Sequence, residues 1–141
     1  ARTRIWVMMF VVRCEEDPDR AAPDDPVMVL LRALVAAQQR GVDVRVCLDV
    51  GRSYATGEIE AKHLAAQTWL QQHGVRVVLD EVGVTTHAKV MLIDDRWVVL
   101  GSHNWTRSAL TDNREASVVL DDPQMVGQLE QQFFARIPGW K

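Results

Sequence analysis

The chain has little of what builds a metal centre, a disulfide framework or a basic coat. Its two cysteines, Cys14 and Cys47, lie in or beside apolar runs and have no C-x-x-C partner. They read as buried thiols packed as small hydrophobes rather than as a bridge. No ligand spacing links Cys14, Cys47, His63, His73, His87 and His103, so neither a metal nor another cofactor is expected. A net charge of −3 argues against a protein built mainly to coat nucleic acid, which needs a strong basic excess. It leaves room for a nucleic-acid enzyme whose positive groups are confined to one cleft. Lysine is scarce, at three of the sixteen cationic residues. The apolar run at residues 5–12 is far too short to span a bilayer. No small-residue cleavage site follows it, so neither a transmembrane helix nor a signal peptide is expected. Localisation stays open.

What is present is an ordinary globular composition, 48% hydrophobic and 25% charged, and 141 residues suit one domain, 1–141, with a real core. Residues 4–12 read as a strand buried on both faces. Residues 14–26, rich in Asp, Glu and Pro, read as a solvated loop leaving the body of the domain. Asp25 and Pro26 mark an N-cap and first helical position. Val27, Leu30, Leu31, Leu34, Val35 and Gln38 follow at helical spacing, closed by Gly41. Residues 42–50 return to strand chemistry, with Val44, Val46 and Leu48 on one face. A loop at 51–57 precedes a helix at 58–73, whose predicted buried face is Ile59, Leu64, Ala65, Trp69 and Leu70, stopped by Gly74. Residues 75–79 form a short strand. This β-α-β-α-β order predicts parallel strands covered by helices.

The pattern then changes. Residues 88–93 and 97–100 are strands separated only by Asp94-Asp95-Arg96, a tight antiparallel hairpin. A polar loop at 101–114 leads to a strand at 116–120, and Asp122-Pro123 opens a last helix reaching about Arg136. The expected fold class is α/β, a mixed sheet flanked by helices.

His87 and Lys89 lie two apart on the fourth strand, so they project to one face. An imidazole beside an ammonium is a poor structural pair, since each disfavours the other's charge. It is a good site for an anionic substrate: lysine neutralises a phosphate oxygen while imidazole supplies a nucleophile or a proton. For this composition, H-x-K-x4-D arises by chance with a probability on the order of one per cent. Gly101-Ser102-His103-Asn104-Trp105 follows directly from a strand end, where functional loops gather. Gly101 permits a tight turn, and Ser102 and Asn104 offer uncharged donors to phosphate oxygens. Glu115 is placed to accept from a ring N–H of His87, fixing its tautomer. The other features carry blander readings. His103 faces solvent or lines the cleft, and Trp105 anchors the loop. Arg107 and Arg114 either bind phosphates or are plain surface. Trp6, Trp69 and Trp97 read as core or interface.

Together, His87, Lys89 and Asp94, then Gly101, Ser102 and Asn104, then an acidic residue at the next strand resemble the phospholipase D superfamily, with its H-x-K-x4-D motif and G-S-x-N loop. The resemblance covers most of the chain. It implies a phospholipase D/nuclease-like α-β-α sandwich in which the motif histidine forms a phosphohistidine. It also implies that lysine and asparagine hold the phosphate, that Asp94 is structural, and that no metal takes part. Domains of the family usually carry a strand and helix ahead of the strand beginning here near Arg4, so a trimmed or unusually short domain is implied.

Displacement at a phosphodiester needs a nucleophile and a general acid on opposite sides of phosphorus. One imidazole cannot be both in one step, and neither His63, His73 nor His103 has a lysine two residues on. The simplest answer is a homodimer with both His87 residues facing each other across a twofold axis, as in the small single-motif nucleases of the superfamily. The expected function is a metal-independent endonuclease acting on DNA or RNA. The alternatives are a lipid-acting phospholipase D or phosphatidyltransferase, and a catalytically silent nucleic-acid or lipid-head-group binding module.

Overall fold

The computed structural model describes residues 1–50 and 58–141, with side chains described for all of these except 58–60. The predicted loop at 51–57 and the side chain of Ile59 lie outside the described residues. The strands are β1 (Arg4–Met9), β2 (Asp43–Leu48), β3 (Arg76–Leu79), β4 (Lys89–Ile93), β5 (Trp97–Gly101) and β6 (Ser117–Asp121). The helices are α1 (Pro26–Gln39), α2 (Glu58–Gln72), α3 (Arg107–Thr111) and α4 (Pro123–Gln132). The strands form one sheet in the order β3-β2-β1-β4-β5-β6. β1 pairs parallel with β2 and β2 with β3, while β4, β5 and β6 are added antiparallel. The expected mixed α/β sheet with helices on both faces is what is found.

Strand alternation builds the two cores. Val7, Met9, Val44, Val46 and Leu48 face α1 and α2, together with Leu31, Leu34, Trp69 and Leu70. Trp6, Met8, Cys47, Val90, Leu92 and Val98 face the other way, against Val126 of α4, Phe134 and Trp140. Both cysteines are free. Burial pushes the Cys14 thiol up to about 11 and that of Cys47 up to about 12, so both remain protonated and inert at neutral pH. Among the described residues no helix is long and apolar enough to cross a membrane.

Four local expectations need correction. The first strand stops at Met9, and Val12 instead forms an isolated bridge to Trp105. On α2 the face turned inward carries His63, Ala66, Trp69 and Leu70, while Leu64 is 61% exposed. His63 tolerates full burial because both ring nitrogens are satisfied: Val12 N donates to Nδ1 and Nε2 meets Asp49 O at 2.8 Å. The acidic segment 14–26 does not leave the body. The Arg32 guanidinium on α1 binds the carbonyls of Ala21, Ala22 and Pro23, and the Trp69 indole donates to Asp19. Finally, the loop at 101–114 contains α3, capped by Thr106, whose hydroxyl accepts from Ala109 N.

Candidate active site

Topology brings the candidate residues to one end of the sheet. β4 runs antiparallel to β1, with Lys89 opposite Met9, so the start of β4 lies at the C-terminal end of the parallel strands. The end of β5 and the start of β6 reach the same edge, with Gly101 opposite Ser117. Open α/β sheets bind ligands at this end. His87 and Lys89, the 101–104 loop and Glu115 are therefore gathered there. Asp94 lies at the opposite end of β4.

His87 is exposed and Lys89 is buried, at 8% relative exposure. The ammonium lies 3.2 Å from Nδ1 and 3.3 Å from Nε2 of His87, and donates to the His87 carbonyl at 2.7 Å. Phe10 lines the other side, 4.9 Å from Lys89 Nζ and with its centroid 4.5 Å from the His87 ring. Burial lowers the Lys89 pKa below that of an ordinary lysine, and the charge of Glu115 partly opposes this. An ammonium desolvated in this way gains more from an anion than one in water.

Glu115 departs from expectation. Its carboxylate takes the Ser102 hydroxyl and, at 3.0 Å, the Asn113 amide. Neither contact is with His87, so no Glu115 bond fixes the imidazole tautomer. These two donors, Ser102 first, hold the Glu115 carboxyl below the usual range, with smaller help from His103 and Lys89. Ser102 is thus spent on Glu115 and on Ala116, whose N–H donates to its Oγ at 3.1 Å. Asn104 Oδ1 is buried with no hydrogen-bond partner among the described residues.

Gly101 serves a different need from the predicted tight turn. It is a paired β5 residue outside the positive-φ glycines. A Cβ built there would meet Ser117 Oγ and come within 2.5 Å of Ser117 Cβ and 2.6 Å of Ala116 O. Arg107 is no free phosphate ligand either, being paired at 2.7 Å with the buried Asp25, whose other oxygen caps α1. Trp105 is buried and bonded through its backbone to Val11 and Arg13, as a loop anchor should be.

Asp49 and His63 were not singled out from sequence. Asp49, fully buried at the end of β2, accepts from Thr86 N at 2.7 Å, one residue before His87. The only hint was a carboxylate closing an apolar strand. Asp94 takes the N–H groups of Arg2, Thr3 and Arg4 and the Thr3 hydroxyl. Burial is the largest single influence and raises its pKa, but those donors together outweigh it and hold the carboxyl well below the usual range. A depressed carboxylate stabilises the fold above its unfolded value, about 3.9, and loses that contribution as pH falls through the folded value. Asp94→Asn should therefore lower Tm by a constant amount from pH 5 to 8. Thermal melts should show the gap closing below about pH 4.

The family model described as "Cardiolipin synthase, PLD-like domain" matches residues 1–137. The chain belongs to the phospholipase D superfamily. Among its relatives is a mitochondrial cardiolipin hydrolase of Chlamydomonas reinhardtii, 35% identical over 94 residues, 67% of this chain and 39% of that protein. A phospholipase D of Rickettsia prowazekii is 34% identical over 131 residues, 93% of this chain and 60% of the relative. The chain thus spans 39% and 60% of the length of those two superfamily members. The solved structure of a phospholipase D family member, Nuc from Salmonella typhimurium, superposes with a TM-score of 0.71 at 30% identity. That match covers 93% of this chain and 75% of Nuc. The histidine and lysine of the H-x-K-x4-D pattern and the G-S-x-N residues are those gathered at this sheet end, while the pattern's Asp94 lies at the other.

Proposed function

We propose that the chain is a phosphodiesterase that cleaves through a phosphohistidine at His87, acting on nucleic acid as a homodimer. The observation that carries it is the buried Lys89 ammonium at 3.2–3.3 Å from both ring nitrogens of an exposed imidazole. In this reading Lys89 and Asn104 hold the phosphate, with Glu115 and Ser102 as their neighbours. The Glu115 charge partly opposes the lowering of the Lys89 pKa by burial. Asp94 and Gly101 are structural.

A ring nitrogen of His87 attacks phosphorus as the P–O bond to the leaving group breaks. The partner subunit's His87 gives that oxygen its proton. Water, deprotonated by the same partner imidazole, then attacks phosphorus and breaks the P–N bond. Every proton is passed between imidazoles and oxygens, and no metal is called on. Val82 and Val84, ahead of β4, and Leu100 and Val118, paired across β5 and β6, are 39–62% exposed, apolar surface available to a partner subunit. Nucleic acid is favoured by the superposition on Nuc, with a TM-score of 0.71 at 30% identity over 93% of this chain. A phospholipid is the second reading, favoured by those relatives' names. A silent binding module is disfavoured by the assembled His87–Lys89 pair.

The test is incubation with labelled single- and double-stranded DNA, RNA and phosphatidylcholine in EDTA, with the oligomeric state measured alongside. Nucleic-acid cleavage that survives chelation supports the reading. Strict Mg²⁺ dependence overturns the mechanism, and cleavage of the lipid alone overturns the substrate. Full activity in a monomer overturns the composite site.

A further inference from the structure

We infer that His103 is a substrate-binding residue of this site, presenting a ring N–H to the phosphate that Lys89 neutralises. The inference rests on the reading of His87 and Lys89 as a phosphodiester site, and adds a second imidazole from the same chain.

Three observations carry it. First, Met9 pairs with Lys89 and Gly101 with Ser117, and extending the β4–β5 register one step beyond Val90 and Leu100 sets Lys89 beside Gly101 in the same row. Gly101 lacks a side chain, so nothing stands in that row between Lys89 and Ser117. Second, His103, Lys89, Gly101 and Ser117 line the same small cavity. Third, His103 Nδ1 lies 2.7 Å from Ser117 Oγ.

That last contact decides which nitrogen is presented. A hydroxyl both donates and accepts. When the imidazole is neutral, Ser117 O–H can donate to Nδ1, which leaves the ring proton on Nε2. When it is cationic, Nδ1–H donates to Ser117 Oγ and Nε2 again carries a proton. In these two states Nε2–H is the ring donor that Ser117 leaves free, on a side chain that lines one cavity with Lys89. His103 stands outside the H-x-K pair: Lys89 contacts both nitrogens of His87, whereas His103 is held by the Ser117 hydroxyl. Its role is to bind, not to attack. A histidine at this variable position of the G-S-x-N loop therefore adds a donor that a small or apolar residue would not.

The experiment uses the whole chain with two readouts. Long-range ¹H–¹⁵N spectra of the imidazoles, recorded while titrating inorganic phosphate, should show the Nε2–H tautomer at His103 and a phosphate-dependent shift there. Steady-state cleavage of a simple chromogenic phosphodiester should show KM raised about tenfold in His103→Ala, a loss of ~1.4 kcal/mol of binding, with kcat within about threefold. His103→Gln, which restores an N–H donor, should recover most of that loss. Ser117→Ala, which frees the ring to choose either tautomer, should fall between. An unchanged KM in a folded His103→Ala variant overturns the inference. So does a loss confined to kcat, which would make the residue a proton donor, and so does a Nδ1–H tautomer. Failure of the underlying reading looks different: no turnover by the unsubstituted chain, or turnover surviving in His87→Ala, with the phosphate shift at His103 still measurable.

Discussion

His87→Ala should lose turnover, with kcat falling by roughly 10⁴-fold or more, while fold and substrate affinity survive. His87 is exposed and lies against Phe10 at a centroid distance of 4.5 Å. Truncating it removes the Phe10 ring contact and the Lys89 contacts to the ring nitrogens, on an exposed side chain whose loss costs about 0.5 kcal/mol. The phosphate-holding groups of the proposal, Lys89 and Asn104, belong to β4 and the loop after β5, and neither needs the imidazole to keep its backbone place. Lys89 retains its 2.7 Å bond to the residue 87 carbonyl. Quenched-flow labelling should trap an acid-labile, alkali-stable phosphorylated chain in the unsubstituted protein and none in the variant. Mixing the two adds a sharper measurement. If both His87 side chains of a dimer are required, activity after subunit exchange falls with the square of the unsubstituted fraction rather than in proportion to it. A proportional fall would return the chemistry to single chains. Activity persisting in His87→Ala would remove the nucleophile assignment altogether.

The contrast between α1 and α2 shows where sequence was legible. In α1, Asp25 and Pro26 punctuate the start, and Val27, Leu31, Leu34 and Val35 lie on the buried side, because apolar spacing and capping chemistry agree. In α2 the apolar residues divide between two registers. A histidine, which pattern reading scores as polar, fills the inward position because its ring nitrogens meet Val12 N and Asp49 O from two other elements. Such partners are distant in sequence, and no periodicity reveals them. The same holds for residues 14–26. Their composition signals solvent, yet Arg32 and Trp69 draw them onto the helices. α3 is five residues long, too short for periodicity to register. At the site, the motif fixes which residues meet, since strand ends of known direction must share one edge. It does not fix who bonds whom there. Glu115 lies nearest the donors of its own loop, Ser102 and Asn113, and takes them in place of the imidazole.

Gly101→Ala should be the most damaging conservative change in the chain. The site needs β5 and β6 close together, because Lys89, Gly101 and Ser117 share one row of the sheet and the Ser117 hydroxyl occupies the space that a side chain at 101 would fill. A methyl there meets Ser117 Oγ, and it meets Ala116 O at 2.6 Å. The first neighbour is a short side chain with little room to turn. The second is backbone, held by Ser102 N at 3.0 Å, and cannot move without breaking the last bond of the β5–β6 ladder. Overpacking against backbone costs about 3 kcal/mol, the upper end of the usual range, which corresponds to a drop in Tm of roughly 10 °C for a domain of this size. The geometry also separates the two collisions. Pairing Gly101→Ala with Ser117→Gly removes the side-chain clash and leaves the carbonyl one, so melts should recover part of the loss, not all. Phosphate affinity should recover less than stability, because any residual shift of Ala116 carries Ser102 and Glu115 with it and moves the carboxylate away from Lys89. A Gly101→Ala chain within about 0.5 kcal/mol of the unsubstituted one would mean that β6 yields freely, and that the glycine of this loop answers to some demand other than close approach.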